Sequence, residues 1–177
     1  MGQYWKVVNL DKREYVMPHK LGTGLKLWEQ LANHPGTGAA LIVLCAAMPE
    51  ARGGGDFDLD ENWHGPERID MSDAGPMPET YPAIAARTIG RWAGDRVALV
   101  GDYAEDTDLA PEHKASAIYG LCMSPDEADA YGLPEGATKA DLYADVSDDV
   151  AAVIEHEMNG RYEGDGWRSW RSDHATA

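Results

Sequence analysis

Basic residues are scarce in this chain: 15 Lys and Arg stand against 31 Asp and Glu, a formal charge of −16 over 177 residues. A phosphate track needs clustered Lys and Arg. The composition therefore speaks against a nucleic-acid partner, and against anionic membrane surfaces for the same reason. Cysteine is nearly absent, with only Cys45 and Cys122. That rules out a disulfide-dense scaffold, and no Cys/His spacing matches a zinc site. Cys45 lies in an apolar run and reads as a buried free thiol. Phenylalanine occurs once, as Phe57, so six Trp and eight Tyr must supply the aromatic packing. Long apolar runs are missing too. The longest, residues 39–48, falls well short of the ~20 residues that span a bilayer. The opening Met1-Gly2-Gln3-Tyr4-Trp5-Lys6 has no signal-peptide pattern, and Gly2 lacks the Ser or Thr of a myristoylation signal. The expectation is a soluble cytoplasmic protein. Catalytic signatures are absent as well: no Gly-x-Ser-x-Gly, no Walker A sequence, no His-Glu-x-x-His and no complete Gly-x-Gly-x-x-Gly.

What is present is enough for one domain with a real core. The hydrophobic fraction is 44%, and a chain of this length buries most of its unfolded surface without staples. Residues 3–17 read as a β-hairpin. Gln3–Asn9 and Glu14–Met17 are rich in β-branched and aromatic residues, with Asp11-Lys12-Arg13 at the turn. A helix is expected over 25–33, with Leu25, Leu27, Trp28 and Leu31 at helical spacings. Residues 39–48 lack a polar face; Thr37 as a cap tips them to helix over strand. A short helix over 82–87 follows Thr80. Residues 89–103 predict a strand or hairpin turning at Ala93-Gly94-Asp95, with Arg96–Val100 as its best strand. Ser124-Pro125-Asp126-Glu127 is a strong helix start, closed by Gly132. Thr138-Lys139-Ala140-Asp141 is a weaker one. Ser147-Asp148-Asp149 should cap a helix that turns Val150, Val153, Ile154 and Met158 inward and ends at Gly160. Strands and helices do not alternate strictly, which favours α+β. The expected architecture is a single α+β domain over 1–162, followed by a polar tail at 163–177. It has a small antiparallel sheet, formed by the N-terminal hairpin and the strand near 96–100, packed with about four helices.

The acids are unevenly placed. Residues 49–80 form a Gly- and Pro-rich acidic stretch, and loops of that length inside compact domains are usually functional or disordered. Within it Asp56, Asp58 and Asp60 alternate, and Glu67 follows eleven residues after Asp56. These are positions 1, 3, 5 and 12 of a calcium loop. Glu61 stands where such a loop needs glycine, so a looser Ca²⁺ or Mg²⁺ site fits better than an EF-hand. A solvated acidic loop is the plainer alternative. A second constellation is Trp92-Ala93-Gly94-Asp95-Arg96 with Gly101-Asp102-Tyr103. Asp95 and Asp102 flank the two ends of one strand, so only one of them can approach the acidic loop. His19 can join that one as acid, base or ligand. The plain reading is two Gly-Asp turns, with Arg96 paired to Asp95.

The opening Met1–Tyr4 with Val8–Lys12, Pro18-His19-Lys20 and Gly24–Leu27 resembles the start of an uncharacterised family of small proteins. Gly53–Asp56, Trp92–Arg96 and Gly101–Ala104 resemble later segments of it. The resemblance covers under half the chain and implies no activity.

The leading expectation is a non-enzymatic acidic interaction protein of the inhibitor, immunity or viral accessory type. It would bind a protein partner with a basic surface through Trp63 and Trp92 as anchors. The alternative is a divalent-cation-dependent enzyme, a hydrolase. It would use Asp56, Asp58 and either Asp95 or Asp102 as metal-facing carboxylates, and His19 as acid or base. A structural subunit of an assembly is the third reading. The surplus of Asp, with little Lys and much Ala, also suits a salt-adapted host.

Overall fold

Strand β1 (Trp5–Asn9) is buried along four of its five residues, because it lies inside the sheet with packing on both faces. Its hairpin partner β2 (Glu14–Val16) returns through a turn in which Arg13 adopts φ 55°. Strand β3 (Val97–Gly101) pairs antiparallel on the other side of β1, with Trp5 opposite Gly101 and Asn9 opposite Val97. A two-residue strand β4 (Ala144–Asp145) runs parallel to β2. The order is β3-β1-β2-β4, a small, mostly antiparallel sheet. The computed structural model describes residues 3–21, 26–32, 36–47 and 81–161.

Seven helices accompany this sheet among the described residues, more than the four expected. They are α1 (Pro18–Leu21), α2 (Leu27–Ala32), α3 (Gly36–Cys45), α4 (Tyr81–Thr88), α5 (Ala115–Leu121), α6 (Pro125–Tyr131) and α7 (Ser147–Arg161). None is long and apolar enough to cross a membrane. Alternation along the strands sorts the core into two layers. Val7 and Val16 join Leu44, Ala85, Ile89, Trp92, Val150, Val153 and Ile154 beneath α3, α4 and α7. Val8, Tyr15 and Val100 join Ile118, Leu121, Cys122 and Tyr143 on the face that α5 covers. The arrangement is α+β, as the sequence predicts.

Several local expectations change. Residues 89–95 are successive turns and not the first arm of a hairpin; β3 finds its partner in β1. The turns do a specific job. Gly90 N–H donates to Val43 O at 2.9 Å and Trp92 N–H to Leu44 O at 2.7 Å. These are among the last carbonyls of α3, which no intrahelical donor can reach. Thr37 lies inside α3, where its hydroxyl donates to Gln30 Oε1 at 3.1 Å, so it is not a cap. Ser147 does not cap α7 with its own side chain. Its Oγ accepts from Met17 N at 2.7 Å, while Asp145 Oδ1 accepts from Ser147 N at 2.9 Å. The helix runs through Gly160 to Arg161. Cys45 is exposed; Cys122 is the buried thiol.

The α6 start holds as predicted. Ser124 Oγ accepts from Glu127 N at 3.2 Å, Glu127 Oε2 accepts from Ser124 N at 2.7 Å, and Gly132 closes the helix at φ 85°. This reciprocal pair satisfies two orphan donors.

Candidate functional site

Of the described candidate residues, Trp92, Asp95 and Asp102 lie around the two ends of β3. At its N-terminal end, the Trp92–Arg96 segment grips the β1–β2 hairpin. Trp92 is 1% exposed, because its ring fills the core and its Nε1 donates to Glu14 Oε2 at 2.8 Å. Trp92 is thus a core residue and not an exposed partner anchor. Arg91 donates to the same carboxylate twice, from Nε at 2.8 Å and from Nη2 at 2.5 Å. Burial alone would raise the Glu14 pKa; the hydrogen bonds from Arg91 and Trp92 outweigh it and hold the carboxyl below the ordinary Glu value. Asp95 accepts from Lys12 Nζ at 2.5 Å and from Asn9 Nδ2 at 2.7 Å, and these bonds lower its pKa. Asn9 Oδ1 in turn accepts from the backbone N–H groups of Asp11 and Lys12 at 3.0 and 2.8 Å, fixing the turn. Arg96 pairs with Asp11 at 2.7 Å and with Glu112 at 3.0 Å, and not with its neighbour Asp95 as the sequence suggests. This whole constellation is a clasp on the hairpin.

The C-terminal end of β3 differs. Asp102 Oδ1 accepts from Tyr4 N at 2.9 Å, and Asp102 N donates to Tyr4 O at 3.0 Å. Asp106 Oδ1 accepts from Ser116 Oγ at 2.6 Å, and Asp108 Oδ2 accepts from Glu105 N at 2.9 Å. The acids of this loop take neutral donors. Tyr103 is 63% exposed and Tyr4 45% exposed beside them. Elsewhere on the described surface, Lys and Arg are already occupied. Apart from Lys6 and Lys114, every described basic side chain stands in a carboxylate pair.

The register separates the candidate catalytic residues. Asp95 precedes the end of β3 that faces Asn9, and Asp102 follows the end that faces Trp5. His19 sits on α1 just past β2, two strands from β3. Among the described residues no group of three or more His, Cys, Asp or Glu is placed to hold a metal ion. Asp56, Asp58, Asp60, Glu67 and Trp63 lie outside the described residues.

One buried cation escaped the sequence reading. Lys6 is 7% exposed, on the sheet face that α5 covers. Its Nζ donates to the carbonyls of Cys122 and Tyr119, the latter at 3.3 Å, and sits 4.4 Å from the Tyr119 ring centroid and 5.5 Å from that of Tyr15. A cation at the carbonyl end of α5 completes that helix, and the ring faces add attraction. Desolvation lowers the Lys6 pKa, and burial pushes the neighbouring Cys122 thiol up to about 12. A thiol held protonated is a poor nucleophile, so this cluster reads as a helix terminator. Polar Lys6 between Trp5 and Val7 was the available signal: a lysine inside an otherwise buried strand. Trp28, 78% exposed on α2, was also passed over.

Comparison with protein-family models, with curated proteins and with solved structures gives no match.

Proposed function

We propose that this chain is a non-enzymatic acidic binding protein whose partner presents a basic protein surface. The observation that carries the reading is the contrast in charge pairing. Nearly all described cations neutralise carboxylates within the molecule, while among the described residues Asp102, Glu105, Asp106 and Asp108 stand in no ion pair, Lys114 acting on Asp106 only at longer range. Exposed Tyr103 and Tyr4 stand beside that run. Aromatic side chains next to unneutralised charge favour a partner that supplies both Lys or Arg and a surface to pack on. The acid also lends long-range steering, which raises association rates and makes them salt-sensitive.

The test uses the full chain immobilised against extracts of its host. A retained partner should be basic and should elute as salt rises. The variant Glu105→Gln/Asp108→Asn should hold it at least about tenfold more weakly while melting no lower than the wild type. Retention of acidic partners only, or a double variant that binds as well as the wild type, would overturn the reading.

A further inference from the structure

We infer that the basic partner contributes an extended segment that adds to the sheet as a fifth strand along the free edge of β3. This rests on the acidic-binding reading and specifies its geometry. Among the described residues, strand order places β3 at an end of the sheet, with β1 as its one partner. The bonds Leu10 N to Arg96 O at 2.9 Å and Asp102 N to Tyr4 O at 3.0 Å set the ladder. Residues 98 and 100 therefore exchange bonds with β1, and 96 and 102 bond Leu10 and Tyr4 just beyond its ends. Val97, Leu99 and Gly101 direct their N–H and C=O groups away from it. Gly101 O accepts from Ala104 N at 3.2 Å, a turn that ends the strand. Among the described residues, nothing bonds the outward groups of Val97 and Leu99.

Natural sheets usually guard such an edge with Pro, Lys, a bulge or an inward charge. β3 reads Val-Ala-Leu-Val-Gly, and its pairing with β1 runs unbroken over five residue pairs. Leu99 is 40% exposed at its centre. An open, regular, apolar edge is a template for strand addition, where main-chain bonds give affinity and flanking side chains give specificity.

Charge selects the occupant. The edge leads directly into Asp102, Glu105, Asp106 and Asp108, four acids that stand in no ion pair among the described residues and have Lys114 alone acting on Asp106 at longer range. A second copy of this chain would bring another −16 charge to the same edge, which opposes self-pairing. A segment alternating Lys or Arg with β-branched residues matches both features. Its backbone continues the ladder while its cations lie over the acidic loop and Tyr103.

The experiment measures anisotropy of two labelled nine-residue peptides that alternate Lys and Val, at low salt, with the full chain. One peptide is unmodified. The other is N-methylated at two consecutive central residues, which blocks both of its edges and leaves its charge intact. The unmodified peptide should bind about tenfold more tightly. Leu99→Pro removes an outward N–H without removing a β1 bond and should bring the two affinities together. Leu99→Lys, which leaves the backbone free to fold, should weaken the unmodified peptide more than the methylated one. Equal affinities for the two peptides would overturn the strand-addition inference and leave the acidic-binding reading standing. Failure of both peptides to bind the folded protein would overturn the acidic-binding reading as well. Self-association that Leu99→Lys abolishes would assign the edge to a second copy and overturn the basic segment.

Discussion

At the Arg96 end of β3 the carboxylates meet cations; at the Asp102 end they meet neutral donors. Glu14, Asp11 and Asp95 each face Arg or Lys, brought from 77 or more residues away in the sequence. Asp102, Asp106 and Asp108 face backbone N–H groups and a serine hydroxyl. Both arrangements order a loop. The first also cancels charge, whereas the second leaves the negative charge without an ion pair, with Lys114 acting on Asp106 at longer range, and fixes its position. The same residue type thus serves cohesion at one end and an outward field at the other. Gly-Asp dipeptides alone could not distinguish the two, because what separates them is the long-range partner.

The largest expected effects lie in the clasp. Trp92→Ala removes a buried ring and the donor to Glu14, and should cost about 4 kcal/mol. Glu14→Gln should cost about 2 kcal/mol, because Arg91 and Trp92 lose a charged acceptor inside the fold. Tyr103→Ala at the other end should stay within about 0.5 kcal/mol. Urea melts of the three variants check the order. A Tyr103 variant as damaged as the Glu14 variant would erase the distinction between the ends.

Acid should attack the Arg96 end through several groups at once, and the other end through Asp106, whose carboxyl is lowered by its Ser116 hydrogen bonds and by Lys114. The Asp11 carboxyl is lowered by its Arg96 hydrogen bonds, Asp95 by Lys12 and Asn9, and Asp149 by the Arg87 fork at 2.6 and 2.7 Å. Glu14 is lowered as described, against the opposing effect of its burial. A depressed folded-state pKa contributes stability above the unfolded value. Those ordinary values are 3.8 for Asp and 4.5 for Glu. Stability should be fully present above about pH 5 and fall as pH drops through and below that range. Melting temperature from pH 7 to pH 3 measures the fall, and Glu14→Gln should make it shallower. An unchanged profile in that variant would mean that its ion pair contributes nothing on folding.

The contrast also explains what the sequence revealed. The hairpin was legible because β-branched runs flank a polar turn, and α6 because its cap residues are adjacent in the chain. Both are local signals. Helix α5 was missed: it begins at Ala115 after Lys114, with no side-chain cap, and carries Gly120 near its end. β4 has two residues and exists only because β2 offers it an edge. Ile89–Trp92 looks like a strand by composition, yet the N–H groups of Gly90 and Trp92 go to the end of α3 and those of Ile89 and Arg91 turn back to Ala85 and Thr88. The clasp was half legible. Trp92, Asp95 and Arg96 stood out as a group, but Glu14, Asn9 and Asp11 as their partners are a product of the fold. Of the loop after β3 only Asp102 and Tyr103 stood out in the sequence, and the pairing of the cations elsewhere is a product of the fold.

Salt provides the finest probe of the comparison, because it acts oppositely at the two ends. Screening weakens exposed pairs such as Lys12–Asp95 and Arg96–Glu112, and relieves repulsion among acids that have no cation. Exposed pairs contribute little each, roughly 0–1 kcal/mol, while the surplus of −16 is distributed over the whole molecule. Relief should therefore win, and melting temperature should rise with KCl beyond 0.1 M, where the Debye length is about 10 Å. The ends should separate in two variants. Glu105→Gln/Asp108→Asn removes repulsion and should flatten the rise. Lys12→Met removes a screened attraction and should steepen it slightly. A wild-type curve that is flat or falling from low to molar salt would show that the clasp outweighs the acidic surplus. The field proposed to attract a basic partner would then be too weak to shape even the stability of its own chain.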